Sequence, residues 1–339
     1  MANQPLITVL IPTYNCELYV KEAVQSILDQ TYSNFECIII DDCSTDKTIE
    51  ILKSFNDNRI KLIEKPKNSG YTNSLNYGLT IAKGKYIARM DGDDISLPTR
   101  FEKQVAIFET NPKLVVCGSI FQIIDSDQVI YNPESHQEIT LAMLKDSAIG
   151  HPTAMLRAST LKEHNINYDV SKEPAEDYDL WVRLLEFGEF YNIQELLFLY
   201  RVHEGQVSIT KKEKQRTKAS ESRFKMLSYF NVPLSELQKE AYINLFSYTN
   251  KVKPEDVFQF LGLRDAVNSS LSNFIDKREV RVLLKEYEKA AVRQCFLGAK
   301  TYNLKLYFDY VKLKRKLEYR LNSVDEAKLL IKSILHKSY

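Results

Sequence analysis

The chain has 339 residues, of which 44% are apolar and 27% charged, with 46 Lys and Arg against 45 Asp and Glu; that is enough for a sizeable core in one large domain or two smaller ones. No run approaches the roughly 18 consecutive apolar residues of a membrane-spanning helix, and no basic segment followed by an apolar run suggests a leader at the N-terminus. Five cysteines, an odd number with no CxxC pair and no zinc spacing, argue against a disulfide framework or a zinc site and for reduced thiols in the cytoplasm.

Taken in chain order, the first half alternates two periods. Residues 6–11 (LITVLI) form a short apolar run that predicts a buried strand, and Leu18, Ala23, Ile27 and Leu28 set helical spacing over 17–30. Residues 35–40 (FECIII) predict a second strand, 45–55 a helix, 60–63 a strand, 72–82 a helix and 86–90 a strand. Such alternation predicts a parallel sheet with helices on both faces, whose ligands bind beyond the carboxyl ends of the strands. A helix over 98–110 follows, with Pro98 near its start and Pro112 beyond its end, as expected of helix boundaries. Strands are predicted over 114–124 and 153–157, an amphipathic helix over 177–187 and an extended segment over 190–200. From residue 211 the pattern is helical to the end, with Ser323 and Glu326 at capping-box spacing. Charge divides the chain in the same place: residues 1–204 carry 19 Lys and Arg against 30 Asp and Glu, and residues 205–339 carry 27 against 15. The expected organisation is an α/β domain over 1–210 and a basic, mostly helical region over 211–339.

Several polar clusters follow the predicted strands. Asp91, Asp93 and Asp94 bring three carboxylates into four residues directly after the strand 86–90. Their mutual repulsion is relieved by a divalent cation, and hard oxygen ligands suit Mg²⁺ or Mn²⁺; an acidic Asp-Gly turn is the plainer alternative. Asp41 and Asp42 follow FECIII, where a carboxylate can accept hydrogen bonds from a base or ribose, and Ser44 can cap the next helix. Pro12-Thr13-Tyr14-Asn15 follows the first strand and offers a flat Tyr face. Asn68-Ser69-Gly70 with Asn73, Asn76 and Gly78 leads into a helix, and its backbone N–H groups could face a diphosphate. Glu176, Asp177 and Asp179 open a helix beside Trp181, the single tryptophan; acids suit a first helical turn, and one that faces a cavity can serve as general base. His203 ends the extended segment, where it could be a ligand or a charge partner. No GxGxxG, GxxxxGK[ST] or GxSxG string occurs, so a bound nucleotide would need another phosphate anchor, for which a metal on the aspartates is the natural substitute.

In order, the strings VLIPTYN, IIIDDCSTDKT, NSGYTNSLNYGL, IARMDGDDISLPTRFEKQ, GHPTAMLR, EDYDLWVRL and YRVHEGQVS resemble the inverting family 2 glycosyltransferases, whose GT-A domain is a Rossmann-like nucleotide-diphospho-sugar transferase fold. The resemblance covers residues 1 to about 210. It implies that Thr13, Tyr14 and Asn15 line a uridine pocket, that Asp42 binds the base, and that Gly70 and Asn73 approach the nucleotide. It implies further that Asp91 and Asp93 form a DxD motif, with Asp91 at the ribose or nearby phosphate. Asp93 and His203 would lie at a Mn²⁺ or Mg²⁺ ion, Asp177 would be the catalytic base, and Asp179 and Trp181 would support the acceptor side. The implied partners are a UDP-sugar donor and a saccharide or lipid-diphosphate-saccharide acceptor. The QxxRW motif and membrane spans of processive synthases are missing, which favours single addition.

Two other functions compete. A sugar nucleotidyltransferase needs a Gly-rich N-terminal loop with a basic residue, and IPTYNCELY has none. A non-catalytic nucleotide-sugar-binding subunit would not need Asp91, Asp93 and Asp177 together. No nucleic-acid module is recognisable in the basic half. Within that half, Leu306, Tyr310, Leu313, Leu317 and Leu321 recur at helical spacing among Lys312, Lys314, Arg315, Lys316 and Arg320. This pattern fits a helix on an anionic membrane at the inner face of the cell, a helix packed on the core with a solvated basic face, or a homodimer surface.

Overall fold

The computed structural model describes residues 4–206, 210–246, 252–270 and 276–336. The chain divides into two compact units, Met1–Ser222 and Arg223–Tyr339. The division falls inside helix α8 (Lys212–Ser228), beyond residue 210, where the sequence pattern places it. The first turns of α8 are tied to the N-terminal unit: Lys172 pairs with Glu221 at 2.5 Å, and Gln215 Nε2 donates to the Pro174 carbonyl at 3.0 Å.

A nine-stranded sheet organises the N-terminal unit, with β7 (Val129–Ile130) paired to β6 outside the main order β3-β2-β1-β4-β8-β6-β9-β5. The strands β1 (Ile7–Thr13), β2 (Phe35–Asp41), β3 (Ile60–Glu64) and β4 (Tyr86–Arg89) run parallel. All seven residues of β1 are buried, as a central strand covered on both faces requires. The parallel sheet expected from the alternation stops at β4. There the three-residue strand β8 (Met155–Arg157) enters antiparallel, followed by β6 (Leu114–Ile123), β9 (Glu189–Tyr200) and the two-residue β5 (Ile95–Ser96). Strands of two or three residues have no readable period. Register shifts along the β6–β9 pair are the irregularities that curve a sheet.

Register brings the functional ends together. Thr13 lies opposite Asp41, and Leu10 opposite Arg89, so the carboxyl ends of β1, β2 and β4 deliver residues 13–15, 41–44 and 91–94 to one edge. Helix α1 (Val20–Leu28) covers the sheet through Val20, Ala23, Val24 and Ile27, the spacing of a single helical face. Helices α2 (Thr48–Lys53) and α3 (Tyr71–Ile81) follow β2 and β3. Ser44 does not cap α2; its hydroxyl and N–H both turn back to Asp41.

Helix α4 (Arg100–Thr110) carries a fully buried guanidinium beneath β4. Arg100 donates to the carbonyls of Arg89 (2.8 Å) and Ala154 (3.3 Å) and to Gln104 Oε1 (3.1 Å), and it faces the rings of Phe101 and Phe198. Gln104 in turn donates to the carbonyls of Cys117 and Thr153. These bonds offset the desolvation of the polar groups and brace the strand that ends in the acidic turn. Helices α5 (His136–Ala142), α6 (Ala158–Glu163) and α7 (Glu176–Leu184) complete the unit.

The C-terminal unit is helical: α9 (Glu236–Phe246), α10 (Pro254–Ser269), α11 (Lys277–Phe296), α12 (Leu304–Leu313) and α13 (Ser323–Ile334). Its core joins Val257, Leu261, Val292, Phe296, Tyr310, Leu313, Leu317, Leu321 and Leu329. Much of the apolar stripe read over 304–321 is therefore packed inward, and the helix ends at Leu313. Beyond it the backbone N–H of Tyr319 donates to Glu288 and that of Leu321 to the Tyr310 hydroxyl, at 2.7 and 3.0 Å, so side chains satisfy groups that a continued helix would use. Asn322, one residue earlier than expected, caps α13 by accepting from the Asp325 N–H.

Candidate active site

The acidic turn after β4 is the centre of the site. One carboxylate oxygen from each of Asp91, Asp93 and Asp94 lies within 4.8 Å of the others. Asp91 pairs with Arg89, itself 4% exposed. Asp93 Oδ2 lies 2.9 Å from His203 Nε2. Asp94 is fully buried; its Oδ1 accepts from the Arg201 N–H at 2.8 Å, and its Oδ2 has no partner. Burial holds the Asp94 carboxyl well above its ordinary range, and the neighbouring charges of Asp91 and Asp93 add to this. Burial also raises Asp91, against the pull of Arg89. A buried carboxylate oxygen without a donor is costly. This orphan and the three converging carboxylates form the oxygen-rich set that a hard divalent cation neutralises, so the residues fit such an ion, with His203 held against Asp93. Asp94 converges with Asp91 and Asp93 here, whereas the resemblance implies Asp93 and His203 at the metal.

Arg201 joins the turn to the segment after β9. Its Nε donates to the Asp93 carbonyl at 2.7 Å and its Nη2 to Glu22 on α1 at 2.6 Å, and the guanidinium lies 4.7 Å from the centre of the Tyr19 ring. Tyr19 also lies against His203, with ring centres 5.1 Å apart and planes tilted by 35°. The turn itself passes close over the first strand: a Cβ on Gly92 would lie 3.1 Å from Cys16 Sγ and 3.2 Å from Thr13 Cγ2.

The β1 and β2 ends form an adjoining surface. Thr13 is buried and donates to Asp41 at 3.1 Å, while Tyr14 is 50% exposed. Asn15 adopts a positive φ of 49°; its N–H donates to the Ser44 hydroxyl, and its Oδ1 accepts from the Thr45 N–H. Asp42 is buried and accepts from the N–H groups of Ser69 (3.0 Å) and Gly70 (2.7 Å) and from Lys65 Nζ (2.5 Å). The 69–70 amides expected to face a diphosphate are therefore used by Asp42. Gly70 has φ 90°, a conformation that favours glycine, and a Cβ there would meet Glu173 at 3.2 Å. Asn73 is exposed and donates to the Ser69 carbonyl, whereas Asn76 points away and holds Tyr168 through two backbone bonds.

Helix α7 sorts its acids by environment. Glu176 is buried and accepts from the Tyr71 hydroxyl at 2.7 Å. Asp179 is buried and paired with Arg183 at 2.7 Å, and Trp181 is fully buried, edge-on to His151. Packing of the helix turns Asp179 and Trp181 inward, so any support they give the acceptor side is from behind the surface. Asp177 alone of the three acids is half-exposed. Burial pushes its carboxyl up to about 6, against the opposing Tyr178 N–H and Arg89 charge. Burial and the Asp177 charge push Glu176 up to about 8.

Arg89 is the residue that a motif reading passes over. Its charge acts on Asp91, Asp94, Glu176, Asp177 and His151, which places one buried cation between the acidic turn and the α7 acids. A charged side chain inside the otherwise apolar strand YIAR is the signal that could have marked it.

Comparison with known proteins identifies the family of the chain. The model described as Glycosyl transferase family 2 matches residues 8–164. An uncharacterized glycosyltransferase of Haemophilus influenzae is 32% identical, over 81% of this chain and 92% of its own length. WfaP of Escherichia coli, named a UDP-Glc:alpha-D-GlcNAc-diphosphoundecaprenol beta-1,3-glucosyltransferase, is 36% identical over 61% of this chain and 81% of its own. Among solved structures, residues 1–349 of S. aureus TarS in complex with UDP-GlcNAc superpose with a TM-score of 0.59 at 19% identity, covering 94% of this chain and 95% of that one.

Proposed function

The chain belongs to glycosyl transferase family 2, has the GT-A fold and is a glycosyltransferase, and on that premise we propose that it moves a sugar from a UDP-sugar to a hydroxyl of a glycan or lipid-linked saccharide, with inversion at the anomeric carbon. The observation that carries this reading is the convergence of Asp91, Asp93 and Asp94 at the carboxyl end of β4, with one buried Asp94 oxygen unpartnered. The names of WfaP and of the TarS complex, both with UDP-sugars, support the choice of uridine.

In this reading Tyr14 offers its exposed face to the base, beside Thr13 and Asn15. Asp42 shapes the pocket chiefly by fixing the 65–70 segment, which carries Gly70 toward the nucleotide; Asn73 lies one helical turn beyond. Asp91 reaches the ribose or adjoining phosphate, oriented by Arg89. Asp93, His203 and Asp94 would hold Mn²⁺ or Mg²⁺, which when bound stabilises negative charge on the departing diphosphate. Arg201 and Tyr19 keep His203 against Asp93. Asp177, ionised at neutral pH because its carboxyl lies near 6, accepts the acceptor hydroxyl proton as that oxygen attacks from the face opposite the leaving group. One displacement of this kind inverts the configuration.

Calorimetric titration of UDP, GDP, TDP and CDP, with and without Mn²⁺, tests the reading on wild type and Asp93→Ala. Metal-dependent UDP binding that disappears in folded Asp93→Ala is the expected result. No binding of any diphosphate by the folded wild type in the presence of metal would overturn it.

A further inference from the structure

The C-terminal unit exposes apolar side chains that its own core does not use. Helix α12 packs inward through Tyr310 and Leu313, yet Leu304, Phe308 and Val311 are 42%, 55% and 41% exposed. Their spacing of four and three residues puts them on one face. Helix α13, which packs against α12, repeats the arrangement with Val324, Ile331 and Leu335 near its outer side, at 61%, 55% and 59% exposure. Cations accompany both stripes: Lys305, Lys312 and Arg315 are exposed along and just beyond α12, and Lys328 along α13. Between residues 300 and 336 there are nine Lys and Arg against four Asp and Glu.

We propose that this face of the C-terminal unit docks on a bilayer surface that bears anionic headgroups. Phe308 and its neighbours would enter the boundary of the acyl region, while the Lys and Arg side chains extend to lipid phosphates. No described helix is long and apolar enough to cross a membrane, so the contact is interfacial. Charge selects lipid over a second copy of the chain. A two-fold interface sets a patch against itself, which would bring like cations together, whereas anionic headgroups are complementary. The proposal differs from the helical pattern read along 304–321, because Tyr310, Leu313, Leu317 and Leu321 are consumed by the core. It goes beyond the transfer reaction and does not depend on the donor or acceptor.

The test is flotation of the full-length chain, without substrate and at physiological salt, with vesicles of phosphatidylcholine alone or phosphatidylcholine mixed with phosphatidylglycerol. Wild type is expected to float only with the mixed vesicles. Phe308→Glu with Val311→Glu should abolish flotation, and Lys305→Glu with Lys312→Glu should weaken it by at least about fivefold for each cation lost. Thermal melts establish that both variants fold; their altered side chains are solvent-exposed. Wild type that stays with neither vesicle, or floats as well after the Phe308 and Val311 changes, overturns the proposal. So does a concentration-dependent dimer that those changes dissociate while flotation is absent, which would assign the stripe to self-association.

Discussion

Each unit buries charge, and the two do so in different ways. Around β4 the N-terminal unit packs Arg89, Asp91, Asp94, Glu176 and the half-exposed Asp177 within reach of one another's fields, and leaves an Asp94 oxygen unpartnered. In the C-terminal unit Arg264 and Glu288, with side chains 7% and 0% exposed, meet directly; Glu288 accepts also from the Tyr319 N–H, and Arg264 donates to Asp265. The second arrangement is closed and complete, as a structural ion pair must be. The first is open and incomplete, which costs stability and is the pattern expected where a ligand supplies the missing partner.

Four substitutions and conditions can break or sharpen this contrast. The largest effect is expected from Asp177→Asn, which should lower kcat about 10²–10⁴-fold and leave metal-dependent UDP affinity unchanged in calorimetry. Loss of UDP binding in a folded variant would make Asp177 a nucleotide ligand rather than a base. Glu288→Ala should destabilise the C-terminal unit by about 3 kcal/mol in denaturant unfolding, because Arg264 loses its buried partner and keeps only the exposed Asp265. UDP affinity should persist at denaturant concentrations below that transition. Parallel loss of both would show that the nucleotide site needs the C-terminal unit intact.

Next in size, Arg201→Ala removes a bond to the Asp93 carbonyl, about 1.5–3 kcal/mol, and a solvent-exposed pair with Glu22, at most about 1 kcal/mol. UDP affinity in Mn²⁺ should fall about ten- to a hundredfold, with Arg201→Lys intermediate; an unchanged affinity would remove Arg201 from the positioning of His203. The smallest effect is the pH profile. Only ionised Asp177 accepts a proton, and its carboxyl lies near 6, so kcat should be level above that value and fall about tenfold per unit below it. A profile that stays flat well below pH 5 would place the titrating group elsewhere.

The strands and helices of the first ninety residues are legible in the sequence because their apolar runs and helical spacing are unbroken. The family motifs likewise locate the acidic turn, Asp177 and His203. What was not legible has identifiable causes. The reversal at β8 depends on three residues, and β5 on two, too few to carry a period. The fates of Glu176, Asp177 and Asp179 are decided by tertiary packing: Tyr71 and Arg183 take the outer two, and nothing in EDYDLW announces that. Asp42 looks like a free carboxylate in DDCS, but Lys65 and two amides from the next loop already bind it. In the C-terminal unit, helical spacing over 304–321 identified residues that do pack, but could not tell which face they pack with.

The contact between His203 and Asp93 spans 110 positions of chain, and Arg201 binds the same turn from nearly as far away. On the ribosome, where N-terminal segments emerge and fold first, the strands that carry Asp42 and Asp93 are therefore exposed well before the residues that close the site over them. A nascent chain displays the acidic turn with Arg89 alone, and only after β9 has left the exit tunnel can Arg201 and His203 reach it. Premature termination after the acidic turn but before residue 201 would thus release a fragment with β1 to β4 but without the side chains that close over that turn.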